Sequence, residues 1–165
     1  MTAEELLDAA LRRIDALNPR LNAVIHRLDD SARRAAAAPG RGPLAGVPFL
    51  MKDGLARVAG APRHEGMRAL RDAGHVDDAD SWFTHRLRAA GVLLCGKTNL
   101  PELATMPMCE PVAYGPTLNP WDPTRSTGGS SGGAAAAVSS RPIVASAQLL
   151  GSTSASPRGR PITSP

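Results

Sequence analysis

The sequence predicts an α/β chain: a mixed β-sheet core flanked by helices on both faces. Three observations carry this. Leu6, Leu7, Ala10, Leu11, Ile14 and Leu17 recur at helical spacing near the start. Two apolar runs of strand length, Leu44 to Met51 and Val92 to Cys95, lie further on. The second run comes after a helical stretch and a glycine, Gly91, which is the order of an αβ unit.

In chain order, Thr2 and Glu5 fit a capping box for the first helix. Asn18-Pro19 is expected to stop it. Leu21 to Leu28 is β-branched at its middle and reads as a strand or extended edge. Asp29, Asp30 or Ser31 can cap a second helix through Ala38, which Pro39-Gly40-Arg41-Gly42-Pro43 breaks. Leu44 to Met51 reads as a buried strand that delivers Lys52 and Asp53 at its end. Either both meet water there, or Lys52 is partly buried and its pKa falls until it can act as a base.

Residues 54–74 read as loop. A helix over Asp77 to Ala90, capped by Asp80, is expected to put Trp82, Phe83, Leu87 and Ala90 on one face, with Gly91 as its C-terminal stop. After the strand Val92 to Cys95, Pro101 can occupy the first turn of a short helix through Thr105. Tyr114 to Pro123 is a proline-stiffened loop that would hold the next segment in one geometry.

That next segment is Arg125-Ser126-Thr127-Gly128-Gly129-Ser130-Ser131-Gly132-Gly133, then Ala134 to Ala137. The glycines permit sharp bends and close approach, and the alanines favour a helix. A helix N-terminus behind such a loop suits developing negative charge. On the residues alone three readings stand: a flexible linker, a phosphate loop, and a serine-hydrolase loop that needs a base from elsewhere. The phosphate reading is weak because no lysine comes after the last glycine, and Gly96-Lys97-Thr98 lacks the upstream glycine of a P-loop. His26, His64, His75 and His85 are scattered and read as surface or hydrogen-bonded side chains.

Composition narrows the function classes. The 165 residues are 42% hydrophobic and 3% aromatic, enough for one domain with a core built mostly of Ala, Leu and Val. The net charge is +4, and residues 141–165 hold Arg141, Arg158 and Arg160 with no acid. No basic stripe is interleaved with aromatics, which argues against a nucleic-acid partner. Cys95 and Cys109 lack metal or redox spacing, and Cys95 is expected to be a buried free thiol. There is no apolar run of about 18 residues and no signal-peptide pattern. The expectation is a cytoplasmic chain with no membrane partner, no cofactor and no metal.

Three strings in series carry a resemblance. They are Gly46-Val47-Pro48-Phe49-Leu50-Met51-Lys52-Asp53, then Leu87 through Asn99, then Asn119-Pro120-Trp121-Asp122-Pro123-Thr124-Arg125 with the Gly-Gly-Ser-Ser-Gly-Gly loop. Together they resemble the amidase signature family, over about Thr2 to Ser140. The resemblance implies the N-terminal portion of that fold and hydrolysis of a carboxylic amide by a Ser-cisSer-Lys mechanism. By matching position, Lys52 would be the catalytic lysine and Ser130 the bridging serine after a cis peptide bond. The substrate would be a small-molecule amide. Residues 1–140 would form a partial amidase domain. Residues 141–165, Ser/Pro/Arg-rich, would be a divergent tail arising from a reading-frame change or a mis-called gene end. The family's Gly-Gly-Ser-Ile-Arg type segment, which carries its nucleophile, is not found. Ser154 stands 24 residues after Ser130, at the nucleophile's spacing. The alternative is a truncated, catalytically inactive amidase fragment.

Overall fold

The computed structural model describes residues 1–54 and 56–140. Its elements run α1 (Ala3–Leu21), β1 (Val24–Arg27), α2 (Asp29–Ala37), β2 (Pro48–Lys52), α3 (Arg68–Asp72), α4 (Trp82–Ala90), β3 (Leu93–Thr98), a 3-10 turn (Glu102–Ala104) and α5 (Gly132–Ser139). The sheet is mixed, as expected. Its order is β1-β3-β2, with β1 antiparallel and β2 parallel to β3.

Two one-residue register shifts shape it. Phe49 pairs with Leu94 but Leu50 with Gly96, so Cys95 is an extra residue in β3. Val24 pairs with Thr98 but His26 with Lys97, so Ile25 is extra in β1. A bulge of this kind sends the residues beyond it to the opposite face. On one face Leu50, Leu93 and Cys95 pack with Leu7, Leu11 and Ile14 of α1, Ala32 and Ala36 of α2, and Ala136 and Ala137 of α5. On the other, Phe49, Met51, Val92 and Leu94 pack with Val58 and Ala61, and with Phe83 and Leu87 of α4. Helices therefore lie on both faces, and small Ala side chains let α5 approach closely.

The capping box at Thr2 and Glu5 is present. However, α1 continues through Pro19 to Leu21. One backbone bond is forfeited at Pro19, but Asn22 in the left-handed region caps the helix, its N–H donating to Asn18 O at 2.8 Å. Asn18 Oδ1 also accepts from the Ala23 and Val24 amides. None of Asp29, Asp30 and Ser31 caps α2. Its N-cap is Leu28, without a side-chain bond, and Asp29 is engaged by Arg27 instead.

Ser81, not Asp80, caps α4, its Oγ accepting from the Thr84 amide. Asp80 is taken by the Ala59 amide and Arg88. Trp82 turns out to solvent, 75% exposed, with Arg86 over its ring. The strand read as ending at Cys95 runs on to Thr98. Pro101 is the N-cap of a 3-10 turn rather than its first residue. A short helix, α3, lies within the stretch read as loop.

Candidate active site

The end of β2 is the centre of the site. Strand alternation sends Leu50 and Lys52 to the α5 side and Met51 and Asp53 to the other. Lys52 is 8% exposed and Asp53 fully buried, so the strand end does not open to water.

On the α5 side, Lys52 Nζ donates to Ser130 Oγ at 2.8 Å and to Ser131 Oγ at 2.9 Å. Both serines come from the Gly/Ser loop, and the Gly129–Ser130 peptide bond is cis. The helix begins at Gly132, inside the loop. Glycine is required there by close approach. A Cβ on Gly132 would lie 2.4 Å from Cys109 Cβ, and one on Gly133 would lie 2.5 Å from Asn99 N. A Cβ on Gly129 would meet Met108 N at 2.6 Å. The 106–109 strap and the end of β3 thus press the loop onto Lys52.

Burial lowers the Lys52 pKa from its ordinary value. A thiolate at Cys109 would oppose this, but burial pushes that thiol up to about 11, so it stays neutral near pH 7. The hydrogen-bond partners of Lys52 are hydroxyls rather than carboxylates, so nothing in those contacts restores the ammonium form. A desolvated amine against two serines can pass a proton to and from a hydroxyl.

Behind the sheet lies a cluster that the sequence did not disclose. Asp53 Oδ1 pairs with Lys97 Nζ at 2.8 Å, both fully buried. Asp53 Oδ2 accepts from the His64 and Glu65 amides at 3.0 and 3.1 Å and lies 3.4 Å from His26 Nε2. Lys97 Nζ also donates to Pro62 O at 2.7 Å. Burial would raise the Asp53 pKa, but His26 and Lys97 outweigh it and hold the carboxyl below its ordinary value. The His26 and His64 rings meet edge-on at 4.8 Å, and the Tyr114 hydroxyl bonds His64. Two histidines read as scattered are therefore neighbours. Burial and the adjacent His26 lower the His64 pKa. The bulges explain why pattern reading missed the cluster: without them His26 and Lys97 would face α5.

Ser131 was also missed as a partner of Lys52; its place beside Ser130 in a loop that turns into a helix was the available signal. Ser154 lies outside the described residues. So does the 141–165 tail. A cavity between α2 and residues 58–61, walled by Arg27, Arg34 and Arg88, contains neither Lys52 nor Ser130. Among the described residues no cluster of His, Cys, Asp and Glu is set to hold a metal ion. None of their helices is long and apolar enough to cross a membrane.

The family model described as Amidase matches residues 5–147. The 6-aminohexanoate-cyclic-dimer hydrolase of Pseudomonas sp. (strain NK87) is 45% identical over 134 residues, 81% of this chain and 27% of that protein. The A subunit of the glutamyl-tRNA(Gln) amidotransferase of Salinispora arenicola (strain CNS-205) is 46% identical over 146 residues, covering 83% and 29%. The solved structure of 6-aminohexanoate cyclic dimer hydrolase superposes with a TM-score of 0.82 at 43% identity, over 85% of this chain and 29% of that one. That of a bacterial aryl acylamidase of the amidase signature enzymes gives 0.76 at 37%, over 84% and 30%. The chain spans 27% and 29% of the length of the two curated relatives.

Proposed function

The chain belongs to the amidase signature family, and we propose that it supplies a lysine–serine proton relay for hydrolysis of a carboxylic amide. The observation that carries this is the contact of Lys52 Nζ with Ser130 Oγ and Ser131 Oγ in a buried setting. Amide hydrolysis needs a hydroxyl made nucleophilic and an amine leaving group made neutral. One relay serves both steps.

With Lys52 neutral, its lone pair takes the Ser130 hydroxyl proton. Ser130 Oγ in turn takes the proton of an attacking serine, whose oxygen bonds the amide carbonyl carbon. On collapse the C–N bond breaks, and the proton returns through Ser130 to the departing nitrogen. Water then repeats the attack on the acyl ester, releasing the acid and restoring the serine. Ser130 is half-buried and can face an incoming group, whereas Ser131 is fully buried and holds the amine. Ser154 is our candidate for the attacking serine, from its spacing alone. The substrate is a small-molecule amide, and the two unpaired thiols suit a reducing compartment such as the cytoplasm.

The test is hydrolysis of a simple aryl amide by the full chain. Lys52→Ala is expected to lower the rate by about 100- to 10,000-fold, the usual worth of a positioned acid–base group. Activity is expected to rise with pH as Lys52 loses its proton, with a midpoint below the ordinary lysine range. A fluorophosphonate probe is expected to label Ser154. Equal rates for wild type and Lys52→Ala would favour the alternative, an inactive amidase fragment.

A further inference from the structure

Lysine is rare here. Of 19 Lys and Arg residues only Lys52 and Lys97 are lysines, and both are buried on neighbouring strands. Arginine, which never gives up its proton, serves everywhere else. The register sets Lys97 beside Met51 and Lys52 beside Thr98, so the two amines leave the sheet one step apart on opposite faces. Between them in charge stands Asp53, the residue after Lys52, fully buried and 2.8 Å from Lys97 Nζ.

We propose that Lys97 is a positioning residue for the proton relay: it binds the Asp53 carboxylate as a neutral pair on the far face, so that no uncompensated negative charge acts on Lys52. This rests on reading Lys52 as the base.

The groups that face each side define the balance. Around Lys52 are the Ser130 and Ser131 hydroxyls and the Cys109 thiol. Around Asp53 are Lys97 from β3, His26 from β1 and the His64 and Glu65 amides, with the Tyr114 hydroxyl behind His64. Lys97 is the cationic side chain in that set whose ordinary pKa lies far above neutrality. Without it, a buried carboxylate one residue from Lys52 would favour the Lys52 ammonium, and an ammonium cannot accept the serine proton. The Cys95 bulge matters because it turns Lys97 to the Asp53 side.

The test is titration of the full chain labelled with 13C,15N-lysine, which gives two side-chain signals; Lys97→Met removes one and so assigns both. In wild type the Lys52 midpoint is expected below the ordinary lysine value. In Lys97→Met it is expected to rise by about one pH unit or more, the usual effect of a nearby opposite charge. Adding Asp53→Asn to Lys97→Met is expected to return it to the wild-type midpoint. A Lys52 midpoint that stays put in folded Lys97→Met, or that rises and is not brought back by Asp53→Asn, overturns the proposal. Should Lys97→Met not fold, the double variant decides, since it buries a neutral pair of similar volume. A Lys52 midpoint there matching wild type supports the proposal; one displaced by about a full unit overturns it. These midpoints need no catalysis. A chain whose Lys52 behaves as expected but cleaves no amide sinks the proposed function and leaves this inference standing.

Discussion

Ser130 and Ser131 share one amine but differ in burial, and that difference sets their separate worth. On the proposed relay Ser130 carries the proton, so Ser130→Ala is expected to cost about 100-fold or more in amide hydrolysis. Ser131→Ala removes one hydrogen bond that holds Lys52 in place, worth about 1 kcal/mol, and is expected to cost about fivefold. Parallel rate measurements on both variants check the order. His64 gives a second prediction at this scale. Its pKa is lowered in the folded chain by burial and by His26, so the unfolded chain takes up the proton first as pH falls. The stability contributed is full above the unfolded value, near 6.5, and is lost progressively below it. Urea midpoints between about pH 7.5 and 5 are expected to fall more steeply for wild type than for His64→Gln.

Among the elements, the start of α5 shows packing overriding propensity. Alanine is a better helix former than glycine by about 1 kcal/mol. Yet a Cβ on Gly133 would lie 2.5 and 2.6 Å from the Asn99 backbone and 2.8 Å from Ala23 O. Overpacking against backbone costs about 1–3 kcal/mol, so Gly133→Ala is expected to lower the urea midpoint. Gly128→Ala meets no neighbour within 4 Å and is penalised only for its positive φ. A smaller shift there would establish that contact, not conformation, governs Gly133. Such local features divide what the sequence can disclose. The Thr2–Glu5 box and the Gly91 stop are local and were legible. Asn18-Pro19 misled because Asn22, beyond the apparent stop, caps the helix. Asp80 misled because its carboxylate found Arg88 and a distant amide, which only tertiary structure brings near.

Over the whole molecule, the sheet is a wall between two compartments, one with a lysine among hydroxyls and one with a lysine in an ion pair. Two strands were legible as apolar runs and one as a β-branched stretch, and Lys52 and Ser130 stood out as candidates through the order of three strings. Their meeting at 2.8 Å was implied by the resemblance alone and by no local pattern, since it depends on α5 packing over β2. Leu50, fully buried and on the same face as Lys52, ties that wall to α1 and α5. Leu50→Ala is expected to cost about 2–5 kcal/mol in a urea melt.

The Cys95 bulge also makes β3 intolerant of a change in length, whatever it tolerates in composition. A side chain there can be exchanged for another of similar volume. Removing the residue shifts the reading of the strand by one, and the parity of every later position reverses. Lys97 would then share a compartment with Lys52, and Asp53 would lose its counter-ion in the same step. Two amines crowded together each yield a proton more easily. A single residue of chain length, shortly before Lys97 and remote in sequence from the serines, therefore decides on which side of the wall a proton is kept.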